Sequence, residues 1–369
     1  MTAATRAKEI MQLVNSAYKK PVISLASDPQ HEVKYVPTGL LPFDILLPGG
    51  LPRSRMIEIY GGPSSLKSYF VLCAIAETQR RGGVCALLDT ERTFDPEWAS
   101  SVGVDLDKLI VPDAVTGERA FDMAQILVAE GVDLLGFDSI AAAQPQTYDD
   151  NPLEDNKIQP GRHAALFSLG LRKVTSKNKR TTILFTNQTR SSIGVTFGNP
   201  ETTPGGNAPA FYASLRMRMQ PAGKLHTPRQ YWDGDKYVDG KQQVGQKFRV
   251  EMTKSKLSKP FGMVTFDWSL TDNCIDMPRF LIAQGLEIGL ITRPNSTTWE
   301  FNQQVIRGKD NFLEAVATRD DLREELEWAV REHHGLTVGT TKTKRKITVS
   351  PGGRTTQPKI KVVRPKKES

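Results

Sequence analysis

The sequence has 369 residues, 38% hydrophobic and 24% charged, enough apolar material for a core in one large domain or two of ordinary size. No apolar run approaches the roughly 18–20 residues that span a bilayer, and residues 1–20, with Arg6, Lys8 and Glu9 among them, do not read as a secretory signal. The net charge of +8 is concentrated in residues 340–369, where ten Lys or Arg face Glu368 alone; that segment carries +9 and the remainder −1, so polyanion binding by the remainder must rest on local sites.

Residues 3–18 predict a helix with Ile10, Met11, Leu13, Val14 and Tyr18 available for an apolar face, and residues 21–26 (PVISLA) predict a short strand before a polar linker at 27–36. This opening piece is too small to fold alone. It either packs on its own core or acts as an arm that docks on a neighbouring subunit. From Arg55 to Arg218, apolar runs at 56–60, 84–89, 108–111, 132–138, 181–187 and 214–219 alternate with helical stretches such as 68–81 and 117–130. The first five runs are continuously apolar, as strands buried on both faces of a sheet are. The alternation predicts an α/β fold with a mainly parallel twisted sheet. Further strands and loops are expected over 229–268, and helices at 278–287 and 319–333 suggest a small C-terminal α+β unit. Beyond Leu336, the Pro, Gly, Thr and Lys content predicts a disordered tail. The expected division is therefore an arm (1–35), a core (36–270), a small C-terminal domain (271–335) and a basic tail (336–369). Of the three cysteines, Cys73 and Cys85 sit in apolar runs and read as core residues, Cys274 stands apart, and a reducing cytoplasm fits.

The strongest local signal is Gly61-Gly62-Pro63-Ser64-Ser65-Leu66-Lys67-Ser68, with Tyr69 next, because it follows a strand and opens a helix. In that setting backbone N–H groups and a helix N-terminus face phosphates. Lys67 would reach the β- and γ-phosphates of ATP and the Ser68 hydroxyl would bind Mg²⁺. Leu66 stands where the usual pattern has its second glycine, so a left-handed backbone there would be strained; an ordinary strand–helix turn is the alternative. Asp138 ends the apolar strand at 132–138 and suits a carboxylate that holds Mg²⁺ and its waters, or else a turn residue or helix cap. Glu91, just past the run at 84–89, suits a base for the attacking water, or else a solvated loop acid. Convergence of all three at the C-terminal edge of one sheet is what ligand binding in open α/β folds requires.

With these residues in view, three segments resemble the RecA family of DNA recombinases: residues 37–68 up to Ser68, LDTERTFDPEWASSVGVDLDKLIV at 88–111, and FTNQTRSSIGVTFGNPETTPGGNAPAFYAS at 185–214. The likeness runs from about Val36 to Leu270, and the third segment is the most specific. The resemblance implies a RecA-like P-loop ATPase that forms helical filaments on single-stranded DNA and catalyses homologous pairing and strand exchange with double-stranded DNA. Single-strand-binding and mediator proteins are the partners it suggests, with no membrane. It implies a water-activating role for Glu91 and adenine contacts for Asp95 and Trp98, the latter in place of a tyrosine. Gln188 would sense the γ-phosphate and pass the signal to a second DNA loop at about 190–207, containing Arg190, Ile193, Gly194, Val195, Phe197, Gly198, Asn199, Gly205, Gly206 and Asn207. A first DNA loop would lie near 151–162, with Arg162 and, on the following helix, Arg172; the acidic run DDNPLED (149–155) departs from the family there. Lys254 and Lys256 match a pair that crosses to a neighbour's γ-phosphate, and Phe211 lies in the interface stretch. Taken alone, the glycines of 194–206 could mark a surface loop and the two lysines an exposed basic strand. Leu66 points to the phage, UvsX-like branch. The basic tail departs from the acidic tail of bacterial members. A hexameric DNA helicase, which shares the core, and an ATP-binding filament with little turnover are the competing readings.

Overall fold

The apolar runs pair as strands because Ile, Leu and Phe fill them and Gly, Asp or Asn punctuate their ends. A computed structural model describes residues 2–336 except 48, 114–115, 150–160, 192–200, 233–236 and 258–260. The described residues form two compact units, Met1–Ala222 with Phe248–Thr265, and Gly223–Lys247 with the chain from Phe266.

In the first unit, helix α1 (Ala3–Tyr18) precedes strand β1 (Met56–Gly61), helix α2 (Lys67–Arg80), β2 (Cys85–Asp89), β3 (Leu109–Ile110), α3 (Gly117–Glu130), β4 (Leu134–Asp138), α4 (Arg162–Lys177), β5 (Thr182–Gln188) and the start of β6 (Leu215–Trp232), which continues into the second unit from Gly223. The strands lie in the order β6-β1-β5-β4-β2-β3 and every neighbouring pair is parallel. Register places Gly61 opposite Gln188 and Asp89 opposite Asp138. The last residues of β1, β2, β4 and β5 (Gly61, Asp89, Asp138 and Gln188) therefore emerge along one edge. Helices cover both faces, as period-2 alternation in β4 demonstrates: a Cβ on Gly136 would meet Val71 and Ile75 of α2, whereas Phe137 packs 5.5 Å from the Phe121 ring of α3, with Phe167 of α4 beyond it. Each such buried aromatic or aliphatic side chain contributes about 1.5–3 kcal/mol. Helix α3 is delimited as its sequence predicts, with Thr116 capping the Arg119 amide (3.3 Å) and Gly131 closing it in a left-handed conformation (φ 81°).

Three expectations need correction. Residues 21–26 are not a strand; Asn15 Oδ1 accepts the amides of Val22 (2.7 Å) and Ile23 (3.0 Å), so these backbone groups are satisfied by a side chain instead of a ladder. The run at 108–111 makes an edge strand of two residues, with Ile110 43% exposed, not one buried on both faces. The run at 214–219 opens an 18-residue strand. Helix α1 has no buried residue, and Leu13 is 71% exposed, so its apolar side chains do not pack on the core of the chain.

Strands β7 (Tyr237–Ser255) and β8 (Met263–Ser269) begin in one unit and end in the other. The second unit adds β9 (Cys274–Ile275), antiparallel to β8, then α5 (Met277–Glu287), a hairpin of β10 (Thr298–Phe301) and β11 (Gln304–Arg307), α6 (Lys309–Thr318) and α7 (Asp320–His333). Its core is Phe280, Leu281, Trp299, Phe301, Phe312, Leu322 and Leu326, with Trp299 stacked on Phe312 at 5.4 Å. No helix among the described residues is long and apolar enough to cross a membrane.

Candidate nucleotide and DNA site

The phosphate loop begins where β1 runs out. A Cβ on Gly61 would lie 2.0 Å from the Met219 carbonyl oxygen, so only glycine fits at that point. Ser64 (φ 51°) and Leu66 (φ 65°, ψ 20°) are left-handed, and Leu66 is the cap from which α2 starts. The strain foreseen for Leu66 is thus present, at a cost of about 1–2 kcal/mol. Ser65 Oγ donates to Gly62 O (2.8 Å), closing the loop, and Lys67 Nζ folds over it to Gly62 O (2.7 Å), Gly61 O and Ser65 Oγ (both 3.2 Å). Burial lowers the Lys67 pKa, while the Asp138 and Glu91 carboxylates oppose that shift.

Opposite the loop, burial raises the Asp138 pKa, and Glu91 and Asp89 push it the same way. Ser68 and Thr186 hydrogen-bond its carboxylate, Thr186 Oγ1 at 2.5 Å, and act in the other direction. A half-buried carboxylate beside the Ser68 hydroxyl is an oxygen set suited to Mg²⁺, which keeps several waters and needs no dense cage; among the described residues no group of three or more His, Cys, Asp and Glu is assembled for a metal. Glu91 Oε1 accepts from Ser139 Oγ and from Gln188 Nε2 (3.2 Å). Asp89 Oδ2 takes the Phe94 amide (2.7 Å) and Thr90 Oγ1 donates to Ser139 O (2.6 Å), which shape the turn that carries Glu91. Ser139, Thr186, Asp89 and Thr90 were not singled out from the sequence. Their roles depend on β2, β4 and β5 lying side by side, and no spacing within one strand reveals that.

Lys254 and Lys256 share a face, as their alternation with Ser255 predicts. Both bind the Phe211 carbonyl oxygen (3.3 and 3.1 Å), and Lys254 also binds those of Ala210 and Ala213. These are the free carbonyls at the end of the helix Ala208–Tyr212, where cations are favoured. Burial lowers the Lys254 pKa, and the nearby Lys256 and Arg216 charges add to the shift. Lys256 lies over the Phe211 ring, which is itself 69% exposed.

A model of the RecA N-terminal domain matches residues 6–274. The chain belongs to the RecA family. It is 37% identical to Protein RecA of Nocardia farcinica over 331 residues (89% of this chain, 91% of that one), and equally to Protein RecA of Mycobacteroides abscessus over the same shares. Protein RecA of Bartonella quintana is also 37% identical, over 332 residues. The chain is accordingly an ATP-dependent recombinase of recombination and repair, a DNA-dependent ATPase that binds ATP.

The remaining RecA-type positions fall as follows. Tyr69 and Trp98 bring their rings to 6.3 Å, an aromatic flank beside the start of α2. Asp95 is the N-cap of the helix Pro96–Ser101 and accepts the Glu97 (2.9 Å) and Trp98 (3.2 Å) amides, so it orients the residue it was paired with. Arg162 donates to Thr147 Oγ1 (2.9 Å), and Arg172 and Arg190 are exposed. Arg190–Ser191 pairs antiparallel with Glu201–Thr202, which ties the two limbs of the second loop at its base. Gly205 (φ 96°) passes so close to α4 that a Cβ would meet Phe167 Cδ1 at 2.6 Å; Gly206 (φ 65°) and Asn207 then lead into the helix at 208. Ile193, Gly194, Val195, Phe197, Gly198 and Asn199 lie outside the described residues, as do 151–160 of the first loop and the basic tail.

Proposed function

We propose that this RecA-family chain polymerises as a helical filament on single-stranded DNA, holds ATP and Mg²⁺ between adjacent subunits, and catalyses homologous pairing and strand exchange with a duplex. The observation that carries the reading is Glu91, on the edge facing Lys67 and Asp138, with one oxygen shared by Ser139 and Gln188. Lys67 leaves the Gly61 and Gly62 carbonyls for the phosphates, and Ser68 and Asp138 would hold Mg²⁺, which would supply positive charge where the transition state gains negative charge. Glu91 accepts a proton from the attacking water. Gln188 exchanges Glu91 for the γ-phosphate and passes the change to the loop at 190–207, which contacts the DNA backbone independently of base sequence. Lys254 and Lys256 leave the end of the helix at 208–212 for the neighbour's nucleotide. Tyr69 and Trp98 flank the base.

Four functional parts accompany the chemistry: an arm (1–35) for polymerisation, the ATPase core (36–270), a small C-terminal domain (271–335) and a basic tail (336–369) that adds phosphate contacts. Host or phage cytoplasmic DNA is the setting, with single-strand-binding and mediator proteins as further partners; Leu66 supports the phage branch. The test is electron microscopy of the ATP complex on single-stranded DNA together with hydrolysis rates with and without DNA. Helical filaments and DNA-stimulated hydrolysis are expected. Closed rings would favour the helicase reading, and filaments without turnover the coating reading.

A further inference from the structure

Glu58 is fully buried in the middle of β1, between Ile57 and Ile59, where a carboxylate is tolerated only if strongly hydrogen-bonded. Its partners come from the strands on either side. Arg216, directly opposite in β6, donates its Nε to Glu58 Oε2, and Asn187 of β5 donates Nδ2 to Glu58 Oε1 at 2.9 Å. Both partners reach onward to the same place. Asn187 Nδ2 also donates to Pro204 O (3.2 Å), and Arg216 Nη2 donates to Thr203 Oγ1 (3.3 Å). Thr203 and Pro204 belong to the limb by which the second DNA loop returns to the core. A little earlier on that limb, Glu201 is held by Arg218 at 2.6 Å.

The other side of this cluster is the nucleotide sensor. Asn187 precedes Gln188 and accepts its amide through Oδ1 (2.9 Å), so the Asn187 side chain is fixed to the backbone of the residue whose Nε2 lies on Glu91. Arg216 is braced in turn: its guanidinium lies 4.7 Å from the Tyr60 ring centre, Tyr60 donates to Thr253 Oγ1 (3.0 Å), and Thr253 Oγ1 donates to Arg216 O (3.2 Å). None of the chemistry assigned above uses Glu58, Arg216 or Asn187. We infer that the buried Glu58–Arg216 pair, with Asn187, is a positioning device that fixes the returning limb of the loop to the backbone of Gln188, so that a shift of Gln188 is passed to Thr203 and Pro204. The inference rests on the reading of Gln188 as sensor and 190–207 as DNA loop, and adds the residues that join them.

Fluorescence anisotropy of labelled oligothymidylate with the full chain, in a slowly hydrolysed ATP analogue and in ADP, gives the ratio of the two DNA affinities. Couplings of this kind span about 5–150-fold. The double variant Glu58→Gln/Arg216→Met removes both charges and leaves neither buried alone. It should keep DNA-free hydrolysis within about twofold and lower the affinity ratio about tenfold; a merely structural pair would lower stability and leave the ratio intact. Thr203→Val, which spares the buried pair, should lower the ratio about threefold and serves if the double variant does not fold. An unchanged ratio in the folded double variant, or in Thr203→Val alone if the double does not fold, overturns the positioning role. Gln188→Ala, run in parallel, separates the premises: if it loses the ratio while the pair variants keep it, the relay fails and the sensor reading stands; if Gln188→Ala itself keeps the ratio, the sensor reading fails and the relay with it.

Discussion

Asp133 and Asp138 stand five residues apart, one just before β4 and the other at its end, and the protein treats them in opposite ways. At the N-terminal edge of the sheet Asp133 is 11% exposed; burial pushes its pKa up, but Arg53 Nη1 (2.8 Å), the Val84 amide (3.0 Å) and Arg180 Nη2 (2.6 Å) outweigh burial and hold it at about 2. At the C-terminal edge burial raises the Asp138 pKa, the Glu91 and Asp89 carboxylates push it the same way, and the Ser68 and Thr186 hydroxyls offset only part of the shift. One edge carries a charge already compensated by the fold; the other gathers Asp89, Glu91 and Asp138, with Lys67 facing the last two, and leaves negative charge for further cations to neutralise. On the proposed function those cations come from outside, as Mg²⁺ and a neighbour's lysines. The lesson is that an incompletely compensated charge, more than a conspicuous one, points to a working site.

The largest effect expected from testing this contrast is on turnover. Glu91→Gln should bind ATP and slow DNA-stimulated hydrolysis by about 10²-fold or more; near-normal steady-state rates would remove Glu91 from the chemistry. Asp138→Asn should be comparably slow, yet nucleotide-free protein should melt at or above the wild-type temperature. The sign follows from the raised folded pKa: such a carboxyl contributes stability below the unfolded value of about 4 and loses it as pH rises through the folded value. A clear fall in the melting temperature of Asp138→Asn would break the comparison.

Next is the supply of cations in trans. Lys254→Ala/Lys256→Ala should still bind ATP, because Lys67 and Ser68 remain, but lose at least about tenfold of DNA-stimulated hydrolysis. Mixing it with Lys67→Ala should restore part of the rate at junctions where an intact loop meets intact lysines. Co-assembly with no recovery would return both lysines to a role within their own subunit, as cations at the end of the helix Ala208–Tyr212.

Asp133→Asn should act in the opposite sense to Asp138→Asn. Lowering from 3.8 to about 2 corresponds to about 2.5 kcal/mol, and Arg180, 58% exposed, reduces that to about 1–2 kcal/mol. In the wild-type protein this contribution is present above pH ~4 and fades as pH falls from there through about 2, so urea midpoints should diverge at pH 7 and converge near pH 2. A variant as stable as wild type at pH 7 would show that Asp133 is not compensated. The smallest effect is at Leu66. Leu66→Gly relieves the left-handed strain but frees the unfolded chain, for a net gain of about 0–1 kcal/mol with ATP affinity unchanged; a loss of stability would mean that the Leu66 side chain packs better than its backbone suffers.

Much of this edge was legible in the sequence because a parallel strand announces itself. Residues 134–138 read as an apolar run with an acid at its end, and the ends of such strands gather on one side. Lys67, Glu91 and Asp138 could therefore be placed before the fold was known. Thr186, Asn187 and Glu58 could not, since their meaning arises from register between strands 48 residues apart for Thr186 and Asp138 and 129 for Asn187 and Glu58. Strands β6 and β7 were underestimated for a different reason: over 221–230 nearly every residue is exposed, so no apolar alternation marks the continuation of the strand. Residues 21–26 erred the other way, with strand-like side chains but hydrogen bonds to Asn15 where a ladder was expected.

Helix α1 has its own thermodynamic consequence. A 16-residue helix with no buried residue draws little stability from tertiary packing and, by itself, is marginal in water. On the proposed function its order would be governed by mass action: a neighbouring subunit that accepted Leu13 and its neighbours would convert concentration into helix, so the folding of residues 3–18 would follow assembly.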